Sequence, residues 1–472
     1  MVFSSFEFLF RFLPVFLLIY YSIPKIFYKA VLLVGAVNRQ KAADWQIKFR
    51  NAILFAGSLA FYAVGEAQYV LLLFGCVLLN YLLGRMMYRS AAEGRGFRQK
   101  LLLFLALGYD FGTLFFFKYS GLSDRLPLGI SFYTFQIAAY IIDVYRGRVP
   151  AEKSFVRLGT YLTMFPQLVA GPIINYSDIR MQLGARSTSP EQFEAGLKFL
   201  ILGLGSKVIL ADRIGTLWNS IQTVGFSSIS TPLAWMGAVA YSMELYFDFA
   251  GYSMMAMGLG GMLGFKIPVN FRLPYMSKSV SEFWRRWHIT LGKWFREYVY
   301  IPLGGNRKGK ARTFLNLFVV WSLTALWHGA APNFLIWGGM LLALLGIEKL
   351  FLLRFLEKSK VAGHLYLLFV VPLTWVAFAV GDVGQLGVYF TRLFPFAGGS
   401  GEVLDAFDFV RYLRDYWHLL AAGVLFATPL PRAVYKKIGR YFAGNVIVLG
   451  ILGLSVYFLA VSRNNPFMYF NF

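Results

Sequence analysis

The chain has 472 residues, of which 58% are hydrophobic and 18% aromatic while only 15% are charged, a composition that excludes an ordinary soluble protein. Its 46 Lys and Arg against 23 Asp and Glu give a net charge of +23. In a soluble protein that excess would point to nucleic acid, but in so apolar a chain it fits basic loops lying against anionic lipid, and no nucleic-acid partner is expected.

The first stretch, MVFSSFEFLFRFLPVFLLIYYSIP, lacks a basic leader and a small-residue cleavage site, so it reads as a retained membrane segment. From Lys25 to Arg50 the bases Lys25, Lys29, Arg39, Lys41, Lys48 and Arg50 face the single acid Asp44, which places this region on the cytoplasmic side. Apolar segments follow at 51–65 and 69–86, and the second ends in the basic loop of Arg85, Arg89, Arg95, Arg98 and Lys100. The lone Cys76 in this second segment removes intrachain disulfides, cysteine zinc sites and paired-thiol chemistry, and it reads as a small core hydrophobe. Segments 101–119 and 128–144 come next. The following run, FVRLGTYLTMFPQLVAGPIINYSDI, carries Pro166, Gly171 and Pro172 inside apolar sequence. Breakers at membrane depth are tolerated only where protein or a cavity surrounds the backbone, so a broken or re-entrant helix is expected here.

Further apolar segments lie at 193–210, 233–249 and 254–265. Glu244 and Asp248 are one helical turn apart, so both carboxylates share a face, and the expected partners are bases of the amphipathic stretch that follows; a proton or ion path is the alternative. That stretch, 279–330, holds two of the four histidines. From Lys278 to Arg312 nine basic residues face two acids, the signature of a cytoplasmic segment. Ser279 and Glu282 fit a capping box, and Phe283, Trp287, Leu291, Trp294 and Tyr298 recur at three- and four-residue steps. The pattern predicts one amphipathic helix at the headgroup boundary with His288 beside its apolar stripe, where an interfacial histidine is the plainer reading. A helix entering the bilayer follows. His328 lies sixteen residues beyond Arg312, or about 24 Å at about 1.5 Å per residue, deep in the membrane and near the turn of a hairpin. An ionisable group at that depth is by default a functional site, against the alternative of a histidine bonded to a neighbouring helix.

After Phe351 come segments at 364–380, 417–430 and 443–461, with acidic Glu402, Asp405 and Asp408 before one and basic Arg432, Lys436, Lys437 and Arg440 after it. His364 and His418 fall at segment ends and are assigned no chemistry. The whole reads as an all-α polytopic membrane protein of about ten to thirteen segments in a single domain, 1–472, with 279–330 as its core.

SEFWRRWHITLGKWFREYVYIPLGGNRKG at 281–309, with LWHGA at 326–330, resembles the membrane-bound O-acyltransferase family, and within it the bacterial alginate O-acetyltransferase branch. The likeness extends to the N-terminal MVFSSFEFLFRFLP, to PLGISFYTFQIAAYIIDVYRG, FPQLVAGPI and YFDFAGYS, and to the C-terminal NPFMYFNF. The branch's FSGYSD run has an aspartate where this chain has Met254, while Asp248 is kept as a possible buried acid.

The resemblance implies a ring of tilted and re-entrant helices around a central histidine, with His328 as the catalytic residue and His288 as the second polar position. Neutral imidazole suits a general base for attack of a hydroxyl on a thioester, or a nucleophile that carries the acyl group. His288 or the indole of Trp327 would orient the thioester or stabilise the oxyanion. Arg286, Arg296, Asn306 and Arg307 are candidates for a donor's phosphates, with anionic lipid as the alternative ligand. No bound cofactor and no metal is expected, only acetyl-CoA or another acyl thioester as donor. The expected partners are a polysaccharide acceptor, a separate periplasmic or extracellular acetyltransferase, and anionic lipids of a bacterial inner membrane. D-alanyl transfer to teichoic acid, a transporter or flippase, and a non-catalytic scaffold are the competing functions.

Overall fold

The computed structural model describes residues 2–35, 37–122, 125–397, 403, 405–439 and 441–461. The NPFMYFNF motif and Glu402 lie outside them. Among the described residues the chain is helical, with no strand. Six helical stretches there are long and apolar enough to cross a membrane: Glu7–Leu33, Arg39–Ala92, Gly96–Tyr119, Pro332–Lys358, Lys360–Ala379 and Phe442–Val461. The Arg39–Ala92 stretch is two helices, Arg39–Glu66 and Val70–Ala92, joined by a tight turn at Ala67–Tyr69.

The residues group into two compact units, Met1–Leu200 with Ser253–Pro268, and Ile201–Tyr252 with Val269–Phe472. In the first unit the N-terminal aromatics form one cluster. Phe8, Phe12 and Phe16, one turn apart on the same helix face, surround Phe165 edge-on at centroid distances of 6.1, 5.5 and 5.1 Å. Phe165 belongs to the stretch in which Pro166, Gly171 and Pro172 predicted a break. The helix Phe155–Thr163 ends at Met164, a single turn Phe165–Leu168 follows, and the next helix begins at Tyr176.

The backbone groups freed by that break are met by buried side chains. The Phe165 N–H donates to Ser58 Oγ at 3.1 Å, and the Tyr161 hydroxyl donates to the Ile174 carbonyl at 2.9 Å. Gln167 donates to the carbonyl of Tyr161 at 2.5 Å. Irregular backbone inside an apolar chain persists only with such partners. Gly129 is required beside it: φ is +76°, and a Cβ there would sit 2.3 Å from the Leu168 carbonyl oxygen.

The second unit is built on large aromatics. Trp284, Trp321, Trp337 and Trp375 pack with centroids 5.0 to 6.1 Å apart, and Trp218 packs on Tyr241 and Tyr389. Trp284 is on the helix Val280–Arg286 of the 279–330 stretch, and Trp321 and Trp337 are on the hairpin Gly309–His328 with Pro332–Ile347; between them in the chain come the helix Ile289–Phe295 and a π-helical turn Arg296–Tyr300.

Candidate active site

The helix that precedes His288 starts where the sequence places it. Ser279 Oγ accepts from the Glu282 N–H at 3.0 Å, and the Glu282 carboxylate turns back to accept from the Lys278 N–H at 2.9 Å, a capping box shifted by one residue. A longer-range clamp adds to it. Glu348, 1% exposed, accepts from the N–H groups of Val280 and Ser281 at 2.5 and 2.8 Å, placing a carboxylate on the helix N-terminus, where charge-assisted bonds and the helix dipole both favour it.

The amphipathic stripe does not run on as one helix, which corrects the expectation. Val280–Arg286 stops, Trp287 is extended, and His288 adopts the left-handed conformation at φ 43°, ψ 52° before Ile289–Phe295 begins. Few non-glycine residues take that conformation, at a cost of about 1–3 kcal/mol, and such strain persists where surroundings over-determine it. Here Asn270 and its neighbours do so. The Arg272 N–H donates to the Arg286 carbonyl at 3.0 Å and the Ile289 N–H to the Asn270 carbonyl at 3.0 Å, so an extended segment brackets the break.

The side chain of Asn270, 1% exposed, completes the bracket. Its Oδ1 accepts from the Thr290 N–H at 3.1 Å and the Thr290 hydroxyl at 3.0 Å, and it lies 3.3 Å from His288 Nδ1. A backbone N–H can only donate, so the atom facing it is the amide oxygen. A proton on His288 Nδ1 suits that oxygen, and this tautomer leaves the neutral ring's lone pair on Nε2. His288 is 2% exposed, so its ring is buried within the protein. Phe249 packs edge-on against it at 4.8 Å.

His328 is the last residue of its helix, followed by the three-residue turn Gly329–Ala331, as the hairpin reading expects. It is 6% exposed and is enclosed by Trp327, Trp337 and Phe378 at 4.8, 5.1 and 5.0 Å, all edge-on, with Phe334 stacked at 6.0 Å. Trp327 links the two histidines, its ring 6.3 Å from that of His288 and 4.8 Å from that of His328. Two imidazoles from segments forty residues apart thus share one indole in an aromatic enclosure.

The remaining sequence candidates are not gathered there. Arg286 pairs with Glu282 one turn back at 2.5 Å. Arg296, Asn306 and Arg307 are exposed. The last two sit on the 301–308 loop, which is shaped by left-handed Gly304 and Gly305 and tied down by Arg312 Nε on the Leu303 carbonyl at 3.0 Å and by Asn316 on the Gly305 carbonyl at 2.7 Å.

Where the sequence led one to expect a base of the 279–330 stretch beside Asp248, the structure places Lys207. That lysine, 1% exposed, pairs with Asp248 at 2.7 Å, and the same ammonium meets Asp212 at 2.6 Å. Lys207 and Asp212 are five residues apart, which an α-helix would turn away from each other, but the π-helical turn Ser206–Ala211 brings them to one side. Glu244 is buried and packs against Gly215, where a Cβ would sit 2.2 Å from Oε1. Of the other histidines, His364 contacts the Ser277 carbonyl at 2.9 Å from Nδ1. A buried acid that sequence reading passed over is Asp110, which accepts from Asn80 at 2.8 Å beside Cys76.

The chain belongs to the membrane-bound O-acyltransferase family: the family's model matches residues 145–378, and relatives match along the whole chain. A protein of Pseudomonas putida named "Probable alginate O-acetylase AlgI" is 33% identical, with 100% of each chain covered. A peptidoglycan O-acetyltransferase of Helicobacter pylori is 28% identical over 90% of this chain and 92% of its own length. A teichoic acid D-alanyltransferase of Bacillus subtilis is 31% identical over 45% of this chain and 56% of its own length. The protein is a multi-pass membrane O-acyltransferase whose substrates include an acyl donor.

Proposed function

We propose that this chain moves an acetyl group from a cytoplasmic thioester, acetyl-CoA, across a bacterial inner membrane for O-acetylation of an exported polysaccharide, with His328 as the base. The observation that carries the reading is the pair of buried histidines sharing Trp327, with His328 at the end of the Gly309–His328 helix. A hydroxyl oxygen of the acceptor attacks the thioester carbonyl while its proton passes to the His328 ring. Collapse of the tetrahedral intermediate breaks the C–S bond, and the departing thiolate takes the proton from the imidazolium.

His288 divides the work by its tautomer. With Nδ1–H committed to Asn270, its Nε2 lone pair accepts a proton or a hydroxyl hydrogen bond and offers no donor to an oxyanion. The oxyanion role therefore falls to the Trp327 indole N–H. Arg296, Asn306 and Arg307, on exposed backbone that the charge rule assigns to the cytoplasm, are the donor-phosphate contacts.

The acetyl group is favoured because the relatives that match along most of the chain carry acetyl-transfer names, while the D-alanyl likeness covers 45% of it. The acceptor hydroxyl at His328 is that of a separate periplasmic transferase, which then passes the acetyl group on to the polymer. The test is label transfer in oriented proteoliposomes supplied on the cytoplasmic face with acetyl-CoA or with a D-alanyl thioester, and a soluble glycan with its transferase outside. Acetyl label on the glycan supports the proposal. D-alanyl label alone, or passage of intact donor without acyl transfer, overturns it.

A further inference from the structure

The first unit holds a second concentration of positive charge, which the acyl-transfer chemistry does not use. Arg186, in the loop before residue 190, and Arg50, on the Arg39–Glu66 helix, both face the ring of Tyr20, with guanidinium carbons 6.0 and 5.7 Å from its centroid. Arg50 also lies 5.6 Å from the Tyr21 ring. Two guanidinium groups over one buried tyrosine repel each other, and among the described residues neither has a carboxylate partner.

The tyrosines cannot supply the missing negative charge. The Tyr20 hydroxyl donates to the Leu263 carbonyl at 2.9 Å while accepting from Arg186 Nε at 3.1 Å, and the Tyr21 hydroxyl donates to the Met262 carbonyl. Arg186 is held in place by further contacts. Its Nη1 donates to Asn51 Oδ1 at 2.7 Å and to the Gln182 carbonyl at 3.3 Å, and its plane lies 4.3 Å over the Phe265 ring.

Donors nevertheless remain unused on both arginines. Arg186 Nη2 and Arg50 Nε are buried without a hydrogen-bond partner. One outer nitrogen of Arg186, Nη2, and the inner Nε of Arg50 are the donors left over on two ring-backed guanidinium groups, and phosphate oxygens are the acceptors that arginine recognises best. The Lys25–Arg50 segment is the one whose charge marks it as cytoplasmic.

We propose that Arg50 and Arg186 form a phosphate-binding site at the cytoplasmic side of the first unit, with Arg186 fixed by the fold and Arg50 as the adjustable arm. The phosphate is that of an anionic lipid headgroup or of a phosphorylated soluble ligand, and the experiment separates these sources. Arg186 pins several segments, so its removal would confuse binding with folding; Arg50→Gln takes away a guanidinium that contacts only ring faces.

The purified full chain in detergent is titrated with phosphatidylglycerol, with coenzyme A and with inorganic phosphate, and binding is followed by native mass spectrometry beside Arg50→Gln and Arg50→Lys. The expected result is affinity lowered about tenfold or more in Arg50→Gln, as for one lost charge-assisted contact, with partial recovery in Arg50→Lys. Loss for phosphatidylglycerol alone assigns the site to lipid, and loss for coenzyme A or phosphate assigns it to a soluble ligand. Equal affinities of native chain and Arg50→Gln for all three probes overturn the site.

Discussion

Replacing Asn270 by alanine removes the acceptor on which the break at His288 is built. Its Oδ1 serves the Thr290 N–H, the Thr290 hydroxyl and His288 Nδ1 at 3.1, 3.0 and 3.3 Å, all at buried residues. The hydroxyl can rotate to another acceptor, but the backbone N–H and the imidazole N–H cannot. Each buried donor left unmet costs about 1–3 kcal/mol, so Asn270→Ala is expected to lose about 2–6 kcal/mol. The left-handed conformation of His288 would lose its main support as well.

Reversible unfolding in mixed detergent and dodecyl sulfate measures the loss. Asn270→Asp separates geometry from stability, because it keeps an acceptor of the same shape and adds a negative charge beside Nδ1–H. That charge favours the imidazolium, so His288 stays protonated to higher pH. If the neutral ring is the working form, acyl transfer by Asn270→Asp falls off at a higher pH than in the native chain. An Asn270→Ala variant within about 0.5 kcal/mol of native stability would refute the clamp, since changes of that size are typical of inert surface sites.

Lys207→Met leaves Asp212 and Asp248 facing each other without the ammonium between them, and thermal unfolding should report a loss of about 3–5 kcal/mol, the usual cost of breaking a buried ion pair from one side. Adding Asp248→Leu to that variant should restore part of the stability, since the remaining acid, Asp212, is partly exposed at 19%. Arg307→Gln alters an exposed side chain on a loop tied down by Arg312 and Asn316. It should raise the donor KM several-fold while leaving kcat and the unfolding midpoint unchanged, and an unchanged KM would remove Arg307 from the donor contacts.

The sequence made most of the membrane-helix pattern legible, because apolar runs, breakers and basic loops are local signals. The interrupted helix around Pro166 to Pro172, the cap at Ser279 and the hairpin that puts His328 at a helix end all follow from residues near one another in the chain. What escaped is what depends on partners far along it. The apolar stripe through Trp287 and Leu291 reads as continuous helix, and nothing local announces that Asn270, eighteen residues upstream, holds the chain broken at His288. Glu348 caps a helix nearly seventy residues before it. The base beside Asp248 is Lys207 because a π-helical turn changes which residues share a face, and that turn has no signature in periodicity.

The most direct test is single-turnover acetyl transfer by the native chain and by His328→Ala in proteoliposomes, at matched folding and with acetyl-CoA binding measured separately. A missing general base lowers the transfer rate by about 10²–10⁴ with donor affinity retained, and that is the predicted result. Transfer by His328→Ala within about threefold of native, well short of the effect of a general base, would contradict the assignment of the reaction to His328.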